Sequence, residues 1–325
     1  MTPASFSEIR GGLQMKARLA IALLAIAMLC ASALAQENTA EGWYKKGLEL
    51  SKKGSYEEAV KAYDKAIEIE PQNATLWLAK GQGLSTAYGL SEQERTTTKE
   101  AAIKAYEKAI QIDPNYTDAW ISKGFILLDL DKRNESLNSF DKAIELNPKD
   151  TNAWQGRGNV LFSLNKFEEA VESYNKALET DPSNIGASQG KGQALAALGR
   201  KNESAQTYDK SLETLDRDIE TANSTENLSQ AWLMKGIVLQ EQDRYEDAVK
   251  ALDNATNADS KNEMAWKVKG VVLLYEAIEA FDKALQINPK DPLTWQRKGD
   301  ALKALGRNSE ADTAFAKAKE LGYQG

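Results

Sequence analysis

All seven tryptophans of the chain fall on one lattice: Trp43, Trp77, Trp120, Trp154, Trp232, Trp266 and Trp295. Their spacings are 34, 43, 34, 78, 34 and 29, and the longest interval skips a member whose tryptophan position holds Ser188. Four residues after each of these eight positions stands a glycine: Gly47, Gly81, Gly124, Gly158, Gly192, Gly236, Gly270 and Gly299. Three further on stands a leucine: Leu50, Leu84, Leu127, Leu161, Leu195, Leu239, Leu273 and Leu302. Intervals of four and three trace one face of an α-helix. A second stripe follows in each copy, small, then aromatic or leucine, then small, as in Ala59, Tyr63 and Ala66 or Ala311, Phe315 and Ala318. A fixed period overrides the length prior, under which 325 residues would read as about two globular domains.

Each repeat therefore reads as two antiparallel helices that meet through small residues. Glycine inside a helix costs about 0.5 to 1 kcal/mol relative to alanine. Eight glycines at one position imply that a neighbour approaches too closely for a Cβ. Pro71, Pro114, Pro148, Pro182 and Pro289 punctuate the second helices, because proline cannot continue a helix and the chain must turn.

The pattern resembles the tetratricopeptide repeat (TPR) family, on Trp43, Gly47, Ala59, Tyr63, Ala66 and Pro71 and the comparable sets in the other copies. Two departures recur: leucine replaces the first-helix tyrosine, and Lys46 or Lys80 stands where leucine is usual. The resemblance covers residues 40–325 and implies an all-α fold, a right-handed α-solenoid of about eight helix-turn-helix repeats. Their expected bounds are 40–73, 74–116, 117–150, 151–184, 185–228, 229–262, 263–291 and 292–325, within a solenoid of residues 36–325. It further implies a non-enzymatic scaffold for protein partners, most similar to exported repeat proteins of microbial envelopes.

The lattice breaks in three places. Nine extra residues in repeat two fall around Tyr88 to Thr98, where Gly89 and Thr96, Thr97 and Thr98 suit a polar surface loop. Ten more follow Ser211, where Leu212, Leu215 and Ile219 continue a helical stripe, so the second helix of repeat five is expected to overrun by two or more turns before Asn223. In repeat seven, five residues are missing: only Leu274, Tyr275 and Glu276 separate Leu273 from Ala277, with no Gly or Pro between Val271 and Asn288. Residues 264–287 are expected to be largely helical, with repeat eight displaced from the regular stack. Repeat eight ends without the polar closing helix that solenoids usually need, which makes its outer face a candidate surface for self-association; the alternative is that short side chains with Lys317 and Lys319 solvate it.

Ahead of the repeats, Lys16 and Arg18 precede an uncharged run from Leu19 to Ala35 that ends in Ala33-Leu34-Ala35, the form of a cleavable export signal over residues 1–35 whose true start is a choice between Met1 and Met15. The alternative is an uncleaved anchor, although spanning a bilayer takes about 20 apolar residues. Cleavage would leave Gln36 first, remove Cys30, and leave 38 basic residues against 47 acidic ones. The expected location is secreted or associated with the cell envelope. Seven sequons follow, at Asn73, Asn115, Asn134, Asn202, Asn223, Asn227 and Asn254, with Asn223 and Asn227 favoured as glycosylation sites by the loop between repeats.

Composition removes whole classes of chemistry. The chain has no histidine and one cysteine, so no His-based general base, His-containing metal site or disulfide framework can be built. A formal charge of −7 gives no pull toward nucleic acid. Ser139 with Lys142, and Ser173 with Lys176, match the S-x-x-K spacing of serine acyl enzymes. The same two positions hold Ala62 and Lys65, and Ala105 and Lys108, which marks them as consensus helix positions. Asp129 and Asp131 faintly resemble a calcium loop that lacks its glycine. No cofactor, metal or catalytic residue is expected.

In TPR stacks the first helices line a concave groove, so positions one, two and five after each tryptophan are the candidate partner-binding residues. These are Ile121 and Phe125 in repeat three; Gln155 and Asn159 in repeat four; Gln189 and Gln193 in repeat five; Leu233 and Met234 in repeat six; Lys267 and Val268 in repeat seven. Gly156 and Gly190 are expected to leave room beside the amides for a peptide backbone. Ile237 and Val271 would extend the apolar patch or else pack between repeats. The Lys and Asn of the family's carboxylate clamp are absent, Tyr44 and Leu48 standing in the first repeat, so chaperone C-termini are not expected partners. The expected partner is a protein or peptide segment; a carbohydrate ligand is the alternative, since carboxylates are plentiful.

Overall fold

A computed structural model describes residues 38–86 and 91–324. The expected export signal and Cys30 lie outside the described residues, as does Gly89. The described residues form fifteen α-helices and no strand: α1 Ala40–Lys52, α2 Tyr56–Ile69, α3 Ala74–Ser85, α4 Glu92–Ile112, α5 Thr117–Asp129, α6 Arg133–Leu146, α7 Thr151–Ser163, α8 Phe167–Thr180, α9 Ile185–Ala197, α10 Lys201–Thr221, α11 Thr225–Glu241, α12 Tyr245–Ala258, α13 Glu263–Ile287, α14 Pro292–Ala304 and α15 Asn308–Glu320. No helix among them is long and apolar enough to cross a membrane. The chain divides into two units, residues 1–160 and 161–325, with the division inside α7. Within each, consecutive helices pair antiparallel and stack as an all-α TPR solenoid.

The helix pairs close on the aromatic of the second stripe. Tyr63, Tyr106, Phe140 and Tyr174 are the largest fully buried side chains, and each is bracketed by small residues of the same stripe. The lattice glycines exist for these rings. A Cβ on Gly47 would lie 2.3 Å from the Tyr63 ring, on Gly81 2.4 Å from Tyr106, and on Gly192 2.5 Å from Tyr208. Where serine replaces alanine in the stripe it adds a cross-link between the helices, Ser136 Oγ donating to the Gly124 carbonyl at 2.7 Å and Ser204 Oγ to that of Gly192 at 2.8 Å. Burial holds these phenols above their usual range, with Tyr208 pushed up to about 12.

The tryptophans, by contrast, edge the core. Trp43, Trp77, Trp120, Trp154, Trp232 and Trp295 are half-buried. The indole N–H of Trp77, Trp120, Trp154, Trp266 and Trp295 donates to the carbonyl six residues earlier, at 2.9 to 3.1 Å, and this pins the turn that starts each repeat. The cation three residues on, Lys80, Lys123, Arg157, Lys235, Lys269 or Lys298, lies over the ring and bridges to a carboxylate of the preceding repeat. That explains a lysine where the family has leucine: it caps an indole face by a cation–π contact.

Two of the three lattice breaks fold as expected. α10 runs for 21 residues, seven more than α8, before Asn223 and Ser224. α13 is one continuous helix of 25 residues with no turn between the two stripes of repeat seven. The third differs. Thr96, Thr97 and Thr98 lie inside α4, not in a loop, because Ser91 and Glu94 form a capping box that starts the helix a full turn earlier. Each threonine hydroxyl donates to the carbonyl four residues before it, which lets a polar β-branched run stay helical. Asn227 likewise lies in the first turn of α11, capped by Ser224 and donating its amide to Asn223, so only Asn223 occupies the connection.

Candidate functional site

The first helices do not present all three expected positions. In repeats three and six the position directly after the tryptophan turns inward: Ile121 is buried, and Leu233 is buried among Leu252, Ala255 and Val272. Both are core residues and not groove residues: Leu233 shares its cluster with Leu252 and Ala255 on the second helix of its own repeat and with Leu212 of the preceding one. Gln155 and Gln189, on the same step, are half-buried. The expected space beside the amides is also taken. A Cβ on Gly156 would lie 2.2 Å from the Phe140 ring and one on Gly190 2.4 Å from Tyr174, so these glycines accommodate the aromatic of the preceding repeat.

Five positions after the tryptophan, the side chains face outward. In the first unit Leu48 is 38% exposed and Phe125 37%, Gln82 is exposed and Asn159 half-buried. Phe125 rests edge-on against Phe140, ring centroids 5.0 Å apart, so its ring is held in place while one face stays open. In the second unit the same position holds Gln193, whose amide donates to Glu241 at 3.1 Å, then half-buried Ile237 and exposed Val271. Met234 is half-buried against Tyr208, Leu215 and Val238, and Val268 packs on the cluster around Leu252. Lys267 is exposed and paired with Glu263 at 2.5 Å. Of the apolar residues in the predicted set, Phe125 is the most open to a ligand, and Leu48, at the same register, is a groove position that the sequence reading does not include.

Repeat five holds a feature that the sequence marked only by a substitution. Ser188 sits buried where the other copies have indole, its hydroxyl 2.5 Å from Ser211 Oγ. The space left is a cavity of about 320 Å³ whose wall includes Pro182, Ser188, Lys191, Thr207, Lys210 and Ser211. Burial, and then the neighbouring Lys210 ammonium, hold Lys191 below the usual lysine range. Among the described residues no group of three carboxylate or cysteine side chains is placed to hold a metal ion.

The outer face of α15, expected as a contact surface, carries Asp312, Thr313, Ala316, Lys319 and Glu320 at its exposed positions. Apolar exposure lies instead on α13, at Met264, Trp266, Val271, Leu273 and Ile287.

Tetratricopeptide repeat models match residues 40–73 and 151–184, residues 233–292, and residues 93–116, 117–150 and 293–321. No curated protein matches the chain. Among solved structures, Pseudomonas aeruginosa PilF is 16% identical, with 71% of this chain and 96% of that one covered and a TM-score of 0.49. MamA from Desulfovibrio magneticus RS-1 is 19% identical over 57% of this chain and 97% of that one, with a TM-score of 0.47. YrrB, described as a TPR protein with an unusual peptide-binding site, is 20% identical over 65% and 99%, with a TM-score of 0.40. With tetratricopeptide models matching repeats from residue 40 to residue 321, the chain belongs to the tetratricopeptide repeat family.

Proposed function

We propose that this TPR scaffold binds a segment of another protein along its first helices, outside the cell or in the envelope. The observation that carries the reading is the open register five residues after each tryptophan in the first unit, where Leu48 and Phe125 keep apolar surface exposed in alternation with the polar Gln82 and Asn159. Exposed apolar side chains that recur at one register supply anchors for alternate side chains of a bound segment, and the amides between them can donate to and accept from its backbone. Export rests on the Lys16 to Ala35 segment of the sequence, and it would open Asn223 to glycosylation.

Affinity purification of the exported form, followed by mass spectrometry, identifies the partner and the first residue of the mature chain together. We expect Gln36 at the amino terminus, and a partner whose binding weakens at least tenfold in Phe125→Glu while the helical circular dichroism is retained. Unchanged binding in Phe125→Glu and Leu48→Glu would remove this register from the site.

A further inference from the structure

In a regular repeat the first helix packs on two neighbours, the second helix of the preceding repeat and its own. α13 has only the first. Its leading half contacts repeat six through Ala265, Val268 and Val272, and its trailing half contacts repeat eight through Leu274, Ile278 and Phe281. A third face runs the length of the helix between them. Trp266, Gly270, Leu273, Ala277, Ala280, Ala284 and Ile287 recur at intervals of four and three, the seam of a two-stranded coiled coil. Trp266 is 49% exposed, Leu273 42% and Ile287 86%, and Gly270, Ala280 and Ala284 are exposed as well. The lattice glycine and the last small residue of the second stripe are buried in every other repeat. A Cβ on Gly270 would meet nothing within 4 Å.

We infer that a second copy of this chain covers this face, with two α13 helices pairing antiparallel about a two-fold axis near Tyr275 and Glu276. The two halves of α13 carry the two complementary stripes of one hairpin, and neither can reach the other within a chain. Gly270 and Phe281 are eleven residues apart on one rigid helix, about 16 Å. In repeat one the corresponding Gly47 and Tyr63 are sixteen apart and fold back through a turn. Between two copies, Ala277, Phe281 and Ala284 of one lie on Leu273, Gly270 and Trp266 of the other, and the same contact is made in reverse. Such an isologous contact closes both vacated faces at once and propagates no further. A shortened connection invites exchange between copies.

Light scattering on the purified protein should give twice the mass of one chain. Inserting a five-residue glycine-containing turn between Leu273 and Leu274 restores the regular spacing and should give a monomer. Mixing Leu273→Cys chains with Ala277→Cys chains should give a cross-linked pair of copies under mild oxidation, because the two-fold sets these positions opposite each other. A monomer at every concentration overturns the inference, as does a dimer that survives the insertion and shows no cross-link between positions 273 and 277.

A separate observation concerns the cavity at Ser188. In repeat one the Trp43 ring lies between Lys46 and Lys65, whose ammonium groups are 5.0 and 4.1 Å from its centroid. The same two register positions in repeat five are Lys191 and Lys210, both in the cavity wall. The carbonyl that accepts the indole N–H in other repeats corresponds here to that of Pro182, also in the wall. The carboxylate that pairs with the first lysine elsewhere is replaced by Asn175. We propose that this cavity binds an indole, as the side chain of a partner segment or as a free molecule. N-acetyl-tryptophanamide and free indole are the probes, read by chemical-shift changes around Lys191. Both should bind weakly, Lys191→Ala should weaken them about two- to fivefold, and Ser188→Trp should abolish binding by filling the site. If both bind, free molecules qualify as ligands; if only the amide binds, the source is a peptide. Binding of neither, or binding of inorganic phosphate alone, overturns the proposal.

Discussion

Repeats one and seven begin with the same register, tryptophan, glycine and leucine, and end in different architectures. In repeat one Gly47 receives the Tyr63 ring, and the chain returns through Gly54, whose φ of +78° closes the turn. In repeat seven the turn is missing, Gly270 faces open space, and the second stripe continues along the same helix. The difference teaches that the lattice residues specify what a helix can accept, while the length between them decides whether its own chain supplies it. Five residues separate a closed hairpin from a rod.

The comparison is tested first where the ring is enclosed. Tyr63→Ala should destabilise the chain by about 3 to 5 kcal/mol, the range for emptying a large buried aromatic. Phe281, only half-buried in a single chain, should lose less in urea unfolding at a concentration that keeps the protein monomeric; equal losses would erase the contrast. Next comes overpacking. Gly47→Ala places a methyl 2.3 Å from the Tyr63 ring and should cost about 1 to 3 kcal/mol, measured as a shift of the denaturant midpoint at constant slope. In Gly270→Ala the sign reverses. With no neighbour to strike, alanine should stabilise the monomer by about 0.5 to 1 kcal/mol, yet the same methyl should weaken self-association by meeting an incoming Phe281. A variant that is destabilised as a monomer would mean that the face is already occupied within the chain.

The smallest effect concerns helix starts. α1 is capped by Thr39, a neutral hydroxyl, and α14 by Asp291, whose carboxylate accepts from the backbone of Leu293 and Thr294. The Thr294 hydroxyl and then these backbone donors hold Asp291 below the usual aspartate value of 3.8. A lowered native pKa means that the cap contributes fully above the unfolded value and is lost as pH falls through the native one. Protection of the Leu293 and Thr294 amides, measured against their intrinsic exchange rates, should therefore fall as the pH drops below 3.8, with no matching change at Gly42.

Much of this was legible from spacing alone. The Trp-Gly-Leu register, the absence of Gly and Pro between Val271 and Asn288, and the stripe through Leu212 and Leu215 predicted the hairpins, the fused α13 and the long α10. Direction around a helix was less legible. Ile121, Leu233, Gly156 and Gly190 sit one or two steps past a tryptophan or past Ser188 in its place, and composition cannot say whether such a step meets solvent or a neighbouring helix. Leu48 and Phe125, five steps past the tryptophan, could have been ranked above them by noting that this position alternates apolar and amide residues through the first four repeats. The start of α4 was missed for another reason. Thr96, Thr97 and Thr98 have modest helix propensity, and the Ser91 and Glu94 box that overrides it lies outside the repeat pattern.

The fused α13 also changes how the chain can come apart. In a stack of hairpins, stability passes from repeat to repeat through nearest-neighbour interfaces, and unfolding spreads as along a line of coupled units. At α13 repeat six and repeat eight hold different halves of one helix, so the line is joined by a single strut rather than by a packed hairpin. A strut can break in the middle without disturbing either end. Repeat eight is then expected to open as its own cooperative unit, its last two helices exchanging protons and meeting proteases before the rest.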